Sequence, residues 1–200
     1  MLLWRCYQES AAITYKSALS AEDEADLDAT IQTIADSHGY VSNLMQTLAL
    51  APKGLAAFAA LSAYTRYGSE LTPLQRELAI VIAVRDVHYG WIHHEPLARS
   101  VGLTHEQLLL IREGRVPKDL APADHALASY AFEISAGRRV PPRVADGVHA
   151  HFTPRQIVDI ALLTSFAMAV AALAIGLDIA LEPTETLQFE QEWQQTRAAG

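Results

Sequence analysis

Residues Leu71–Gly102 read LTPLQRELAIVIAVRDVHYGWIHHEPLARSVG. The stretch opens on Thr72-Pro73, a side-chain acceptor followed by the residue best tolerated in a first helical turn. Leu74, Gln75, Arg76 and Glu77 are good helix formers, and they decide how the charge-free run Leu78–Val84 is read. By periodicity alone that run, LAIVIAV, also fits a buried strand. No hairpin turn and no second strand of similar strength exists elsewhere in the chain to pair with it. The run is read as a buried helix, and the whole chain as all-α.

The same punctuation recurs on both sides. Ser20 with Glu22, Asp23 and Glu24 starts a helix that reaches about His38, where Gly39 stops it. Val41–Leu50 reads as a short helix, and Pro52 starts another that runs to about Tyr67 and ends at Gly68. Thr104 caps a helix to Arg112, closed by Gly114. A further helix runs from about Pro122 to Ala136, and Pro141-Pro142 and Thr153-Pro154 introduce the last two core helices. Pro183 leads into a polar C-terminal tail. Leu-Thr-Pro-Leu-Gln at 71–75 returns as Phe-Thr-Pro-Arg-Gln at 152–156, each ahead of a long apolar helix, so an internally repeated helical hairpin is expected. The second copy carries Ser165, Phe166, Ala167 and Met168 where the first carries polar chemistry.

Two hundred residues suit a single domain. Its expected parts are an N-terminal arm and helix at 1–37, a core at 38–182 and a tail at 183–200. Half the residues are hydrophobic and 19% are charged, which excludes a disordered chain. A net charge of −8 without any Lys/Arg cluster argues against nucleic-acid binding. One cysteine, Cys6, cannot form an internal disulfide, and the N-terminus lacks a signal-peptide pattern, so a cytoplasmic protein is expected. Ile160–Leu177 is uncharged over eighteen residues, long enough for a membrane span. It is rich in Ala, and acidic Asp159 and Asp178 flank it without basic anchors. It is read as a helix at the centre of a bundle or a subunit interface, not in a membrane.

Chemistry concentrates after the buried run. Three of the eight histidines, His88, His93 and His94, fall within seven residues, and imidazole suits acid–base work near neutral pH. Val87, Gly90 and His94 stand at i, i+3 and i+7, on one helical face, so the glycine either opens a notch beneath the histidine or lets two helices approach closely. Glu77 sits in apolar surroundings and needs a partner such as Arg76, Arg85 or a pocket histidine. Otherwise it is an N-terminal helix charge. Tyr89 and Trp91 line a pocket or an interface. No His-Glu-x-x-His spacing is present, so no metal site is expected. Pro96 removes an N–H from the helix just after His94 and predicts a bend there.

The pattern resembles the carboxymuconolactone decarboxylase-like family, which includes the alkylhydroperoxidase D-like proteins. It is carried by Thr72-Pro73, Arg76-Glu77, Tyr89-Gly90-Trp91-Ile92-His93-His94-Glu95-Pro96-Leu97-Ala98 and Val101-Gly102-Leu103-Thr104. The resemblance extends over roughly residues 38–182. It implies an all-α bundle around a helical hairpin, assembled as trimers or hexamers. Peroxidase-type members carry Cys-x-x-Cys-x-x-x-His, which places Val87 and Gly90 at the cysteine positions and His94 at the histidine. Many decarboxylase-like relatives carry Glu where this chain has Gly90, and the connection before Tyr89 looks about two residues shorter than usual.

Disulfide-type peroxide reduction needs a thiolate and a resolving thiol, and neither stands near His94. The expected activity is cofactor-independent acid–base chemistry, a decarboxylation (lyase) or proton transfer on a small anionic substrate. His94 and Glu77 would be catalytic, with Tyr89, Gly90, Trp91, His93 and His88 around the substrate. The alternatives are a non-catalytic ligand-binding or assembly protein, and a peroxidase working through Cys6.

Overall fold

The computed structural model describes residues 20–198. Among them the order is α1 (Ala21–His38), α2 (Asn43–Leu48), α3 (Pro52–Ala63), a π-helical turn (Tyr64–Gly68), α4 (Pro73–Val84), α5 (His88–Ser100), α6 (His105–Arg112), α7 (Pro122–Ser135), α8 (Pro142–His151), α9 (Pro154–Gly176) and α10 (Thr184–Ala198). No strand occurs among the described residues, so the all-α reading stands. The contacts divide into two compact units. One takes in the described residues up to Ala63 with Leu181–Trp193, and the other Tyr64–Ala180 with the described residues from Gln194 onward.

The larger unit is built around α4. Leu78, Ala79, Val81, Ile82 and Val84 lose essentially all solvent contact, because α5, α6, α7 and α9 all pack on this helix. A helix that is apolar all round demands such company. Around it Leu108, Ile111, Leu127, Val148, Ile160 and Leu163 complete the core. α9 behaves differently from α4. Ile160, Leu163, Ala167, Ala171 and Ala174 face the bundle, whereas Val158, Leu162 and Ile175 are exposed. By length and composition α9 could cross a membrane, but it lays one side against α4, α7 and α5.

Three helices in this unit start identically. Thr72, Thr104 and Thr153 each accept from the backbone N–H of a glutamine three residues on, and each glutamine carbonyl oxygen returns the bond to the threonine N–H. Glutamine in place of the commoner glutamate has a physical reason at two of these boxes. Its amide also donates, from Gln75 Nε2 to Asp124 Oδ1 at 3.3 Å and from Gln107 Nε2 to Asp119 Oδ2 at 3.0 Å. Local capping and tertiary docking therefore share one side chain. The apolar residues just before the caps, Leu71, Leu103 and Phe152, are buried.

In the smaller unit Leu27, Ile34, Met45, Ala49, Leu55 and Ala59 form the core. His38 lies buried between two hydroxyls, with Ser37 Oγ 2.7 Å from Nδ1 and Ser62 Oγ 3.3 Å from Nε2. The C-terminal segment departs from the expected polar tail, because residues from Thr184 form α10. Its helix formers are good, but its apolar residues are too few to give a periodic signal. Glu182 Oε1, just ahead of it, accepts from Asn43 N–H at 2.8 Å in the first turn of α2. Trp193 packs on Gly39, where φ is +80° and a Cβ would stand 2.7 Å from the indole. Only glycine fits both constraints.

Candidate active site

α4 and α5 are joined by only three residues, Arg85–Val87, closed by Val87 N–H donating to Val84 O at 2.8 Å. So short a connection brings the start of α5 onto the end of α4. A Cβ at Gly90 would lie 2.7 Å from Val84 Cβ and 2.9 Å from its Cγ1. The space that the missing side chain leaves is filled by Val84. Close approach, not a notch beneath the histidine, accounts for the glycine.

One turn further along α5, His94 Nδ1 lies 2.8 Å from Glu77 Oε2. Glu77 is the fifth residue of α4, beyond its first turn, so it is not an N-terminal helix charge. Burial alone would raise its pKa. The positive charge and hydrogen bond of His94 outweigh burial, and Arg66 and Arg76 add to them, so the carboxyl is held below the usual glutamate range. Both members of the pair keep a narrow opening to solvent, with side-chain exposures of 12% for Glu77 and 15% for His94. An ionised Glu77 accepts the Nδ1 proton of His94. Whenever the ring is in its neutral form, a proton kept on Nδ1 by this carboxylate leaves the lone pair on Nε2, which makes a base oriented by a carboxylate.

The other expected residues divide into neighbours and bystanders. His93 and Tyr89 are both buried one turn apart, with ring centroids 4.6 Å apart. Trp91 is buried beneath the Arg112 guanidinium, which lies 4.5 Å from the ring centroid. His88, the first residue of α5, is exposed. α5 continues through Pro96. Of the suggested partners for Glu77, Arg85 goes elsewhere, donating to Ile82 O and Ser135 Oγ and lying over the Phe132 ring. Among the described residues no three His, Cys, Asp or Glu side chains gather as a metal site. Cys6 lies outside the described residues.

Sequence reasoning missed Arg66. Its Nη2 stands 3.9 Å from Glu77 Oε1, the oxygen that His94 does not take. It rides on the π-helical turn, a conformation found mostly as single turns and often at functional sites. Asp159 of α9, buried to 1% exposure, braces that turn on both sides. Tyr64 Oη donates to Asp159 Oδ1 at 2.7 Å, and Glu70 N–H donates to Oδ2 at 3.0 Å. No signal in YTRYG marks Arg66. Asp159 was visible only as a flank of an apolar run.

No protein-family model and no curated protein matches the chain. Solved structures do. An uncharacterised peroxidase-related protein from Ralstonia eutropha, an alkylhydroperoxidase AhpD core, aligns over 86% of this chain and 90% of its own, at 22% identity and a TM-score of 0.65. A protein of unknown function from Agrobacterium tumefaciens, a putative antioxidant defence protein AhpD, gives 18% identity and a TM-score of 0.61 over 68% of this chain and 96% of its own. The fold is that of the alkylhydroperoxidase D-like proteins. The debrominase Bmp8 shares it at 15% identity and a TM-score of 0.65, over 87% of this chain and 94% of its own.

Proposed function

We propose that this chain is a thiol-independent member of the carboxymuconolactone decarboxylase-like group that moves protons on a small organic acid through the Glu77–His94 pair. The observation that carries the reading is the 2.8 Å contact between an ionised, largely buried carboxylate and His94 Nδ1. Two guanidiniums, of Arg66 and Arg76, act on the same carboxylate, so the site favours an anion. In the simplest step the C–H bond beside a carbonyl breaks, its electron pair stays on the substrate as an enolate, and the proton passes to His94 Nε2. For a 3-oxo acid the C–C bond to the carboxylate breaks instead and CO2 leaves. The carbon then takes its proton from His94, which must enter this sequence as the imidazolium and regains its proton from solvent. Glu77 stabilises the charged form of His94, which is gained in the first sequence and spent in the second.

Thiol peroxide reduction is not proposed, because Val87 and Gly90 offer no sulfur beside His94. A cysteine-to-alanine variant of the debrominase with this fold holds 2,3,4-tribromopyrrole, which supports a small-molecule substrate. The exposed apolar side of α9, with Val158, Leu162 and Ile175, supports assembly of copies of this chain into a homo-oligomer.

The test is deuterium incorporation in D2O, read by NMR, with 2-oxobutyrate, acetoacetate and a γ-lactone carboxylate as probes. Incorporation above the buffer rate is expected for at least one probe. His94→Ala should lower it by about 10²- to 10⁴-fold, the usual size of a general-base contribution. Parent protein no faster than buffer on every probe, or His94→Ala as fast as the parent, refutes the reading.

A further inference from the structure

We infer that the outer face of α9 is the seam along which two copies of this chain pair, antiparallel about a two-fold axis at the level of Ala167. The inference rests on the assembly reading above, which it deepens, and needs nothing of the proton-transfer one. Val158, Leu162, Ser165, Ala169, Ala172 and Gly176 are all exposed, at steps of four, three, four, three and four residues. That is the period of a coiled-coil seam, held along almost the whole of Pro154–Gly176. All six are apolar or small, and Ile175 beside them is 67% exposed. An uncharged face of this length calls for a covering partner, and its pattern fits a second copy of itself.

Turned end over end, the face sets Val158 against the partner's Gly176, Leu162 against the partner's Ala172 and Ser165 against the partner's Ala169. Large meets small towards each end, as a close-packed seam requires. Laid parallel, every residue would face its own copy, so Leu162 would crowd its double while Ala169, Ala172 and Gly176 left a gap. Gly176 favours the antiparallel register too. It is the last residue of the helix, and a Cβ there would meet nothing within 4 Å. Its backbone is not left-handed either, so nothing inside the subunit calls for so poor a helix former. The left-handed position falls instead on Asp178, at φ +50°. Asp178 is exposed and sets an acid at the negative end of the helix dipole. The pair accounts for both residues, because the partner's Val158 seats over Gly176 and the partner's Arg155 comes alongside Asp178. Arg155 is 60% exposed, and within its own subunit it pairs with Glu70 on the surface at 3.2 Å, so the two acids share it. A two-fold makes the subunit number even, which a hexamer admits and an isolated trimer does not.

The experiment reads mass by sedimentation equilibrium and register by disulfide cross-linking, in the full chain carrying Cys6→Ser. The parent should sediment as a multimer of even subunit number. Leu162→Cys with Ala172→Cys should give a covalent dimer under mild oxidation, because the seam brings those positions within disulfide reach. Leu162→Cys alone should cross-link poorly, since ten residues of helix, about 15 Å, separate the two copies of that position. Gly176→Leu should raise the dissociation constant about tenfold or more, the worth of one apolar side chain's seat. The subunit's urea midpoint should hold or rise, a split that a glycine kept for folding would not give. Asp178→Lys should also weaken the pair, and adding Arg155→Glu should recover part of the loss. Leu162→Cys alone cross-linking as well as the double variant overturns the antiparallel register, and Asp178→Lys pairing as tightly as the parent overturns the charge contact. A multimer that neither cross-links nor responds to Gly176→Leu overturns this seam and leaves assembly through another face standing. A monomeric parent overturns both, and a monomer that floats with phosphatidylcholine vesicles gives the face to a lipid surface.

Discussion

Gly90→Ala separates a glycine kept for packing from one that opens a ligand notch. The new methyl would stand 2.7 Å from Val84 Cβ, where ordinary contacts begin at 3.4 Å, so α4 and α5 must part by some 0.7 Å. The three-residue connection leaves little slack for that movement, and Val84 is buried at 1% exposure. Overpacking of this kind costs about 1–3 kcal/mol. Alanine in a helix returns up to about 1 kcal/mol relative to glycine, and less in a first turn. The expected net loss is about 1–2 kcal/mol, read as a lower urea midpoint with an unchanged slope. Val84→Ala removes the two methyls at 2.9 and 3.1 Å but keeps the Cβ at 2.7 Å, so the double variant should recover only part of the loss. A Gly90→Ala protein as stable as its parent, or more so, would refute the packing argument and return Gly90 to the substrate.

Three further outcomes are expected. Because the folded pKa of Glu77 is depressed, its contribution to stability is complete above the unfolded value of about 4.3 and is lost as pH falls below it. Glu77→Gln should therefore flatten the acid limb of a stability–pH curve below about pH 5, and an unchanged limb would remove Glu77 from the ionised pair. Gln107→Glu keeps the acceptor for Thr104 N–H but exchanges the 3.0 Å donor to Asp119 for a like charge. It should cost about 1–3 kcal/mol in urea unfolding, whereas Gln156→Glu should cost less. Val158→Lys with Ile175→Lys on the exposed side of α9 should lower the mass found by sedimentation without unfolding the subunit, and a mass equal to the parent's would rule that face out of assembly.

The helix starts and stops were legible because they are local. Thr72, Thr104 and Thr153 cap their own third residues, and Gly39, Gly114 and Gly137 adopt the positive φ that ends a helix. α10 escaped because helix formers without a periodic apolar face resemble a solvated tail. Pro52 to Tyr67 reads as continuous in the sequence, whereas the structure ends the α-helix at Ala63 and goes on in a π-helical turn. That turn depends on Asp159, 95 residues from Tyr64, so no window of sequence could contain its cause.

By itself the sequence determined an all-α chain with a thiol-free histidine cluster after a buried helix, and it named Glu77 and His94 separately. Only the tertiary structure decided that those two meet, that Arg66 joins them while Arg85 turns away, and that Val84 fills the space at Gly90. The physical reason is one of range. Caps and turns are settled within a few bonds of the residues that encode them, whereas a carboxylate's partner is whichever charge the packed helices bring to it.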